Sequence, residues 1–356
     1  MPAIWDDLPS VYRHVFPEFF GRERPEETRA TCGNCAMVPG PGAPTSVRFF
    51  RPQTRCCTYF PAIPNYLAGG LLGDDSPEMA EGRQRVQARI ASRVGVTPRG
   101  IASTPTFQLL YNAAPAAFGR AEALKCPYLL PTGCGVWRWR PAVCATWFCK
   151  YSTGRDGQLF WKTLQDFLEE TQRKLSQYAL LELHPESPEL LAQPGAGTLG
   201  DRDLDGVAPE DEVYRKLWGP WTGREEEFYR QAEACVRGLS PERFQEIMGL
   251  DLVLHVRSLE KRLRQSAAPD LPDPLRRNPR LRVERIGGDE YMVESYLHFD
   301  PMRLSRRLYE LLDEFDGRLS NAEVLEHIRV EKRLRLNDQL LKSLYQARFL
   351  IGPGEE

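Results

Sequence analysis

Nowhere in this chain of 356 residues does an apolar run approach the roughly 18 residues that a membrane-spanning helix requires, so no membrane span is expected. The opening MPAIWDDLPSVYRHVFPEFF lacks a basic start followed by an apolar stretch, which argues against a secretory signal and for a cytoplasmic location. Charge of neither sign dominates. Against 47 Lys and Arg stand 49 Asp and Glu, a formal net charge of −2 that gives no global pull toward nucleic acid or an anionic membrane. Histidine is scarce: His14, His184, His255, His298 and His327 are scattered, and none pairs with another at ligand spacing. No Ser/His/Asp nucleophile set can be assembled. The one glycine-rich stretch, LAGGLLGD at 67–74, lacks the strand–turn–helix surroundings of a phosphate or nucleotide loop. No repeat or low-complexity tract is present.

What the chain does have is thiol. Eight of its nine cysteines lie between Cys32 and Cys149, and only Cys235 falls outside. In a reducing compartment such crowding points to metal ligation rather than disulfides. Cys32-Gly-Asn-Cys35 lets two thiolates reach one metal from a tight turn. Cys56 and Cys57 are adjacent and project differently, so they suit two neighbouring metals or two corners of one cluster. Cys126, Cys134, Cys144 and Cys149 are separated by seven, nine and four residues, with Pro131, Gly133, Gly135 and Pro141 between them to let loops converge. Eight thiolates suffice for two four-cysteine sites, or for one site plus bystanders. Thiolate ligands suit zinc and iron–sulfur alike. Zinc ribbons usually carry two C-x-x-C knuckles and only one exists here, whereas iron–sulfur ligation tolerates irregular spacing and a proline after a ligand cysteine, as in Cys126-Pro127. Iron–sulfur is therefore the favoured cofactor and zinc the alternative. A purely structural metal stapling a loop-rich module is a third reading.

Around these thiols the composition sets the expected architecture: a mainly α protein with a loop-rich cysteine metal module and a small α+β winged-helix domain at the C-terminus. The cysteine domain spans 1–155, with a short proline-interrupted helical lead-in and a helix at 76–94 that Ser76 caps and Pro77 starts. A bracing region follows at 156–266. It comprises a long amphipathic helix (156–183, with Phe160, Leu164, Phe167, Leu168, Leu175 and Tyr178 at helical spacing), a loop at 184–212, and helices at 223–238 and 241–266. Acidic Glu225, Glu226 and Glu227 suit the start of the first of these. Cys235 shares its face with Phe228, Ala232 and Val236 and reads as packing rather than ligation. Residues 267–279 form a second, proline-rich linker.

From 280 to 352 the pattern changes again. LRVERI and YMVESY flank Gly287-Gly288-Asp289 as a hairpin. Asp300-Pro301 opens a helix that Asp316-Gly317 ends, Ser320 to Glu323 form a capping box, Asn337 caps a third helix, and RFLI at 348–351 reads as a closing strand.

Two resemblances follow from these residues. CPYLLPTGCGVWRWRPAVCATWFCK at 126–150 resembles the YkgJ-type cysteine-cluster family, described as a zinc- or iron-chelating domain. The matching positions are Cys126-Pro127, Leu129, Gly133, Cys134, Trp137 or Trp139, Arg140-Pro141, Cys144, Phe148 and Cys149. Cys32, Cys35, Cys56 and Cys57 match the upstream half of that signature in type, though the 20 residues between Cys35 and Cys56 depart from its spacing. The resemblance covers about 30–155 and implies metal chelation. A related branch, the flagellin lysine N-methylases, makes methyl transfer from S-adenosylmethionine one conceivable activity. Residues 280–352 resemble the PqqD-like domains that recognise precursor peptides, which implies capture of an extended peptide on the hairpin edge.

Competing uses of that domain are packing, dimerisation or DNA binding. From Asp270 to Glu356 there are 15 Lys and Arg against 17 Asp and Glu, which disfavours nucleic acid as a partner. The expected function is metal-dependent modification of a protein or peptide, with Cys32, Cys35, Cys56, Cys57, Cys126, Cys134, Cys144 and Cys149 as metal ligands. The competing class is a non-enzymatic metal-binding protein. Trp137, Trp139 and Trp147 are expected over the metal. Arg140 is a candidate donor to its sulfurs, and Arg138 is either a second donor or simply solvated. No substrate or catalytic residue is legible.

Overall fold

The structure, a computed structural model, describes residues 2–28, 35–39, 49–186 and 206–355. Cys32 and most of the 184–212 linker lie outside them. The chain is mainly helical with several small sheets, as composition and periodicity lead one to expect. Contacts group it into two units. The first comprises Met1–Arg24, Met37–Trp147 and Leu164–Val256, and the second Pro25–Ala36, Phe148–Thr163 and Arg257–Glu356. These units cut across the sequential segments 1–155, 156–266 and 280–352, because residues of one helix, Gly154–Leu183, fall in both.

In the first unit the lead-in is three short 3-10 turns, Ile4–Asp7, Ser10–Tyr12 and Glu18–Gly21. Ile4, Val11, Tyr12, Phe19 and Phe20 of these turns are buried, and the ring of Phe16 lies 4.6 Å from Phe20, 5.2 Å from Phe167 and 5.6 Å from Phe244. Helix α1 (Asn65–Gly73) is buried from Asn65 to Leu72. A 3-10 turn leads into α2 (Ala80–Ser92). Ser76 begins this element, but its hydroxyl turns back to Asp74 Oδ1 at 2.5 Å instead of capping it. Strands β1 (Ile63–Pro64), β2 (Val96–Thr97) and β3 (Gly100–Ile101) form an antiparallel sheet in the order β1-β3-β2. Helix α3 (Pro105–Ala113) is capped by Thr104, whose Oγ1 accepts the Phe107 N–H at 3.2 Å. Strands β4 (Leu129–Leu130) and β5 (Gly133–Cys134) pair antiparallel, and α4 (Ala142–Thr146) carries Cys144.

The long helix α5 (Gly154–Leu183) buries Phe160, Leu164, Phe167, Leu168 and Leu175, as its spacing predicts. A helix not foreseen, α6 (Asp211–Trp218), begins in the last two residues of the expected 184–212 loop and runs beyond it, because Tyr214 and Trp218 bury one face. It is followed by α7 (Glu225–Arg237). The helix expected at 241–266 is two, α8 (Pro241–Met248) and α9 (Leu250–Ala267). Gly249 interrupts them at φ +60°, a left-handed conformation that a continuous helix does not contain.

In the second unit the proline-rich stretch 267–279 is not a bare linker. It carries β6 (Arg276–Arg277), which pairs antiparallel with β10 (Leu350–Ile351), and Leu275 beside it is fully buried. The hairpin is present as β7 (Arg282–Gly287) and β8 (Glu290–Glu294), but a third strand, β9 (Met302–Ser305), extends it to a meander in the order β7-β8-β9. Asp300-Pro301 therefore does not open a helix. The pairing of β8 takes residues 302–305, and Ser305 caps α10 (Arg306–Leu311) by accepting the Leu308 N–H at 3.3 Å. The capping box at Ser320 and Glu323 starts α11 (Asn321–Glu331), and Asn337 caps α12 (Asp338–Gln346). Leu312, Phe315, Val324, Ile328, Leu341, Leu344 and Phe349 close a single apolar core with Val293 and Leu304 of the sheet.

Candidate metal centre

Four separate stretches of the first unit deliver thiols to one neighbourhood. The turn bearing Cys56 and Cys57 is pinned by Gly119, whose carbonyl accepts from Thr54 Oγ1 at 2.7 Å and from the Arg51 N–H at 2.9 Å. The Gly119 N–H in return donates to Thr58 Oγ1 at 2.6 Å. Gly119 sits at φ +73°, with the Phe50 ring where a Cβ would be, so no other residue fits. The Cys126 N–H donates to the Cys57 carbonyl at 2.8 Å. In the next hairpin Leu129 is paired with Cys134 in register. Helix α2 lies close against this hairpin at a glycine–glycine approach, Gly82 to Gly135. Cys144 is brought in by the short α4, whose first amide, that of Ala142, donates to the buried Gln172 Oε1 at 3.1 Å.

The electrostatics of the thiols are coupled. Burial, and then the field of Cys57 and Cys134, push the Cys126 thiol up to about 12. The backbone N–H groups of Tyr128 and Leu129 point at its sulfur and oppose that rise. Burial pushes Cys144 well above the ordinary thiol range. Cys126, Cys134 and Cys57 add to the effect, and the Arg140 guanidinium counters it. Cys57 moves the other way, because the Cys56 thiol hydrogen-bonds to it and Arg55 is near, against a burial cost. Cys57, Cys126, Cys134 and Cys144 thus lie within one another's fields, with Cys56 bonded to the first. Thiols protonated in such a place become ligands only when a cation balances them. Among the described residues no group of three or more His, Cys, Asp or Glu side chains is already set in metal-holding geometry.

Cys35 and Cys149 belong to the second unit, and Cys32 lies outside the described residues. Cys149 is buried near Tyr151, in the same unit as the buried Glu27, which accepts from Trp161 Nε1 at 2.7 Å and from the Ser152 N–H at 2.6 Å. The grouping that sequence order suggests is extended, since Cys57 joins Cys126, Cys134 and Cys144 in one set of mutual fields. Cys235 is half-buried on α7, its thiol raised by burial and by Glu182.

The three tryptophans differ in their surroundings. Trp137 is 46% exposed and stacked under the Arg140 guanidinium at 3.4 Å. Trp139 is buried against Gly70 and donates to Asp74 Oδ2 at 2.9 Å, and Trp147 meets Phe118 edge-on. Arg138 reaches Asp74 and Glu78 at 3.8 and 3.9 Å. Four histidines meet other partners: the Leu239 carbonyl for His14, the Phe167 ring for His255, Glu294 for His298 and Glu314 for His327. His184 is buried against Gly219.

Residues not singled out from the sequence also border the centre. Tyr59 lies in the field of Cys144, and Tyr128 in those of Cys126 and Arg89. Tyr128 had a signal. The spacing C-P-x-L places two amides, at the second and third residues after Cys126, where they can turn onto its sulfur. Arg89 had none, since it comes from a segment without cysteine.

No family model matches the chain. No curated protein and no solved structure matches it significantly.

Proposed function

We propose that this chain is an iron–sulfur protein of the YkgJ type that acts on a protein or peptide substrate. The observation that carries the reading is the convergence of Cys57, Cys126, Cys134 and Cys144 from four stretches into one set of mutual fields. The donor set fits the group. It is all sulfur, it has the four ligands that either a four-cysteine cluster or a tetrahedral zinc takes, and two main-chain N–H groups already face one of the sulfurs. Main-chain hydrogen bonds and a nearby guanidinium, that of Arg140, are the levers that tune a cluster's potential. A bound cluster would supply one-electron chemistry. Cys32, Cys35 and Cys149 remain candidates for a second site. Zinc is the competing occupant.

The C-terminal residues 280–352 read as a PqqD-like winged helix. Strand β7 is the outer strand of its sheet and is exposed along its whole length, with Val283 and Ile286 among the exposed apolar residues. An edge of this kind can accept an extended peptide as a further strand. It supports the view that the domain holds the substrate while the metal centre reacts.

The test is anaerobic purification followed by absorption spectroscopy and metal analysis. A brown protein with a broad band near about 400 nm is expected. Colourless protein carrying stoichiometric zinc would replace the cluster by zinc, and metal-free protein after reconstitution would remove the proposal. An enzyme further requires an open coordination position, so a cluster whose spectrum ignores every added small ligand would favour a structural role.

A further inference from the structure

From Gly100 to Gly119 the chain carries no Asp, Glu, Lys or Arg, although charged residues make up 27% of the whole. Helix α3 lies in this stretch, and none of its residues is buried. Its two rings face the body of the first unit. Phe107 meets Phe60 edge-on at 5.8 Å, Tyr111 meets Tyr59 at 5.3 Å, and the two rings stack on each other at 6.4 Å. The opposite side is open to solvent. Leu109 and Leu110 are each 50% exposed, and the exposed Ala113, Ala114, Pro115 and Ala116 carry the apolar surface past the end of the helix. At its start, Gly206 adjoins the capping Thr104, and the next residue, Val207, is 48% exposed. Single exposed leucines are ordinary, whereas a run of uncharged apolar surface marks an interface.

Charge decides what this face fits. An interfacial helix turns Lys and Arg toward lipid headgroups, and α3 has neither. A partner that brought charges of its own would lose their hydration with nothing here to pair them. A two-fold axis sets a stricter condition, because each group near it faces its own counterpart and any charge there meets its like. Helix α3 satisfies that condition over its whole length. Shape agrees with charge. In an antiparallel pairing centred between Leu109 and Leu110, each leucine faces the other one of the second copy, and the small Ala113 and Ala114 lie toward the ends, where they let the helices approach. A helix of 9 residues is only about 14 Å long. The face is therefore small beside the roughly 800 Å² that each partner buries in a stable complex, and the pairing is expected to be weak and dependent on concentration.

We infer that two copies of this chain associate through α3, antiparallel about a two-fold axis near Leu109 and Leu110. Association of this kind needs no metal.

The test is sedimentation velocity of the full chain over a wide range of concentration, with melting temperatures measured on dilute samples. The parent should move from monomer toward dimer as concentration rises. Leu110→Glu and Leu110→Lys each place like charges across the axis and should weaken association about a hundredfold or more. Because Leu110 is half-exposed, both variants should keep the parent's melting temperature. Mixing the two sets Glu against Lys and should restore association, which separates a lost contact from a lost fold. Leu250→Glu, at an apolar residue 71% exposed on α9, should associate as the parent does. A parent that stays monomeric throughout overturns the inference, including one that instead binds an apolar peptide or lipid vesicles. So do Leu110 variants that dimerise like the parent, a mixture that stays monomeric, and loss of association in Leu250→Glu.

Discussion

The amide of Cys126 donates to the carbonyl of Cys57 at 2.8 Å, so two thiol-bearing stretches far apart in sequence are joined through their backbones before any metal arrives. Preorganisation of this kind makes the two cysteines equivalent in consequence. Cys57→Ser and Cys126→Ser should each lower bound metal at the centre by half or more. Where the metal supports folding, each should also cost several kcal/mol of stability. Cys235→Ser, on α7, should lose no metal. Metal analysis and thermal unfolding of the three variants decide the matter, and unchanged metal content in Cys126→Ser would strike it from the ligand set.

The burial that raises Cys126 to about 12 and pushes Cys144 up as well has a consequence in pH. Both are protonated in the metal-free protein near neutrality, so metal uptake must expel their protons. Affinity should rise with pH, by up to about tenfold per unit for each proton released. Competition titrations between pH 6.5 and 8.5 measure this, and a flat profile would contradict the burial of these thiols. The metal-free protein carries the opposite sign. A folded pKa above the unfolded value of 9.0 stabilises below that value and is lost as pH rises through about 12. Metal-free parent should therefore lose stability across that window more steeply than metal-free Cys126→Ser.

The sequence disclosed elements that punctuate themselves. Ser320 with Glu323, Asn337, and the Gly287-Gly288 turn each satisfy backbone groups locally, and each stands where it was read. It concealed elements whose reason is a distant neighbour. LAGGLLGD, glycine-rich and without a nucleotide-loop context, is mostly helix α1. Gly69 is required because a Cβ there would lie 1.8 Å from the Tyr229 carbonyl of α7, and Gly70 because Trp139 covers it. Strand β9 was hidden in the same way, since Met302 to Ser305 are extended only because β8 lies beside them. For the thiols, residue type was legible and partnership was not. Which cysteine stands beside which depends on the hairpin register and on the Gly119 anchor, neither of which spacing encodes.

Lys150, directly after Cys149, donates to the Phe299 carbonyl at 3.0 Å and stands 3.6 Å from Asp300, which is 1% exposed. Tyr296 also donates to Asp300. Removing the ammonium leaves a buried carboxylate short of its counter-charge, a loss of about 3 kcal/mol or more. Lys150→Met should show that loss in urea unfolding, and pairing it with Asp300→Asn should recover part of it. A Lys150→Met protein as stable as the parent would mean that the pair contributes nothing.

Gly82 couples the helical scaffold to the thiol hairpin. It is buried on α2, and a Cβ there would lie 1.7 Å from the carbonyl oxygen of Gly135, the residue that follows Cys134. That oxygen belongs to backbone and cannot swing aside as a side-chain tip would. Gly82→Ala must therefore push the hairpin off the helix, at a cost of roughly 1–3 kcal/mol for overpacking. Because the displaced segment carries Cys134, bound metal should fall with stability. Gly73→Ala tests whether the effect is steric, since its Cβ would meet only the Arg230 guanidinium, at 3.7 Å. There the gain in helix propensity, up to about 1 kcal/mol, faces no clash, and metal content should not change. Equal metal content in Gly82→Ala and Gly73→Ala would show that Cys134 reaches its neighbours independently of the packing of α2 on the hairpin.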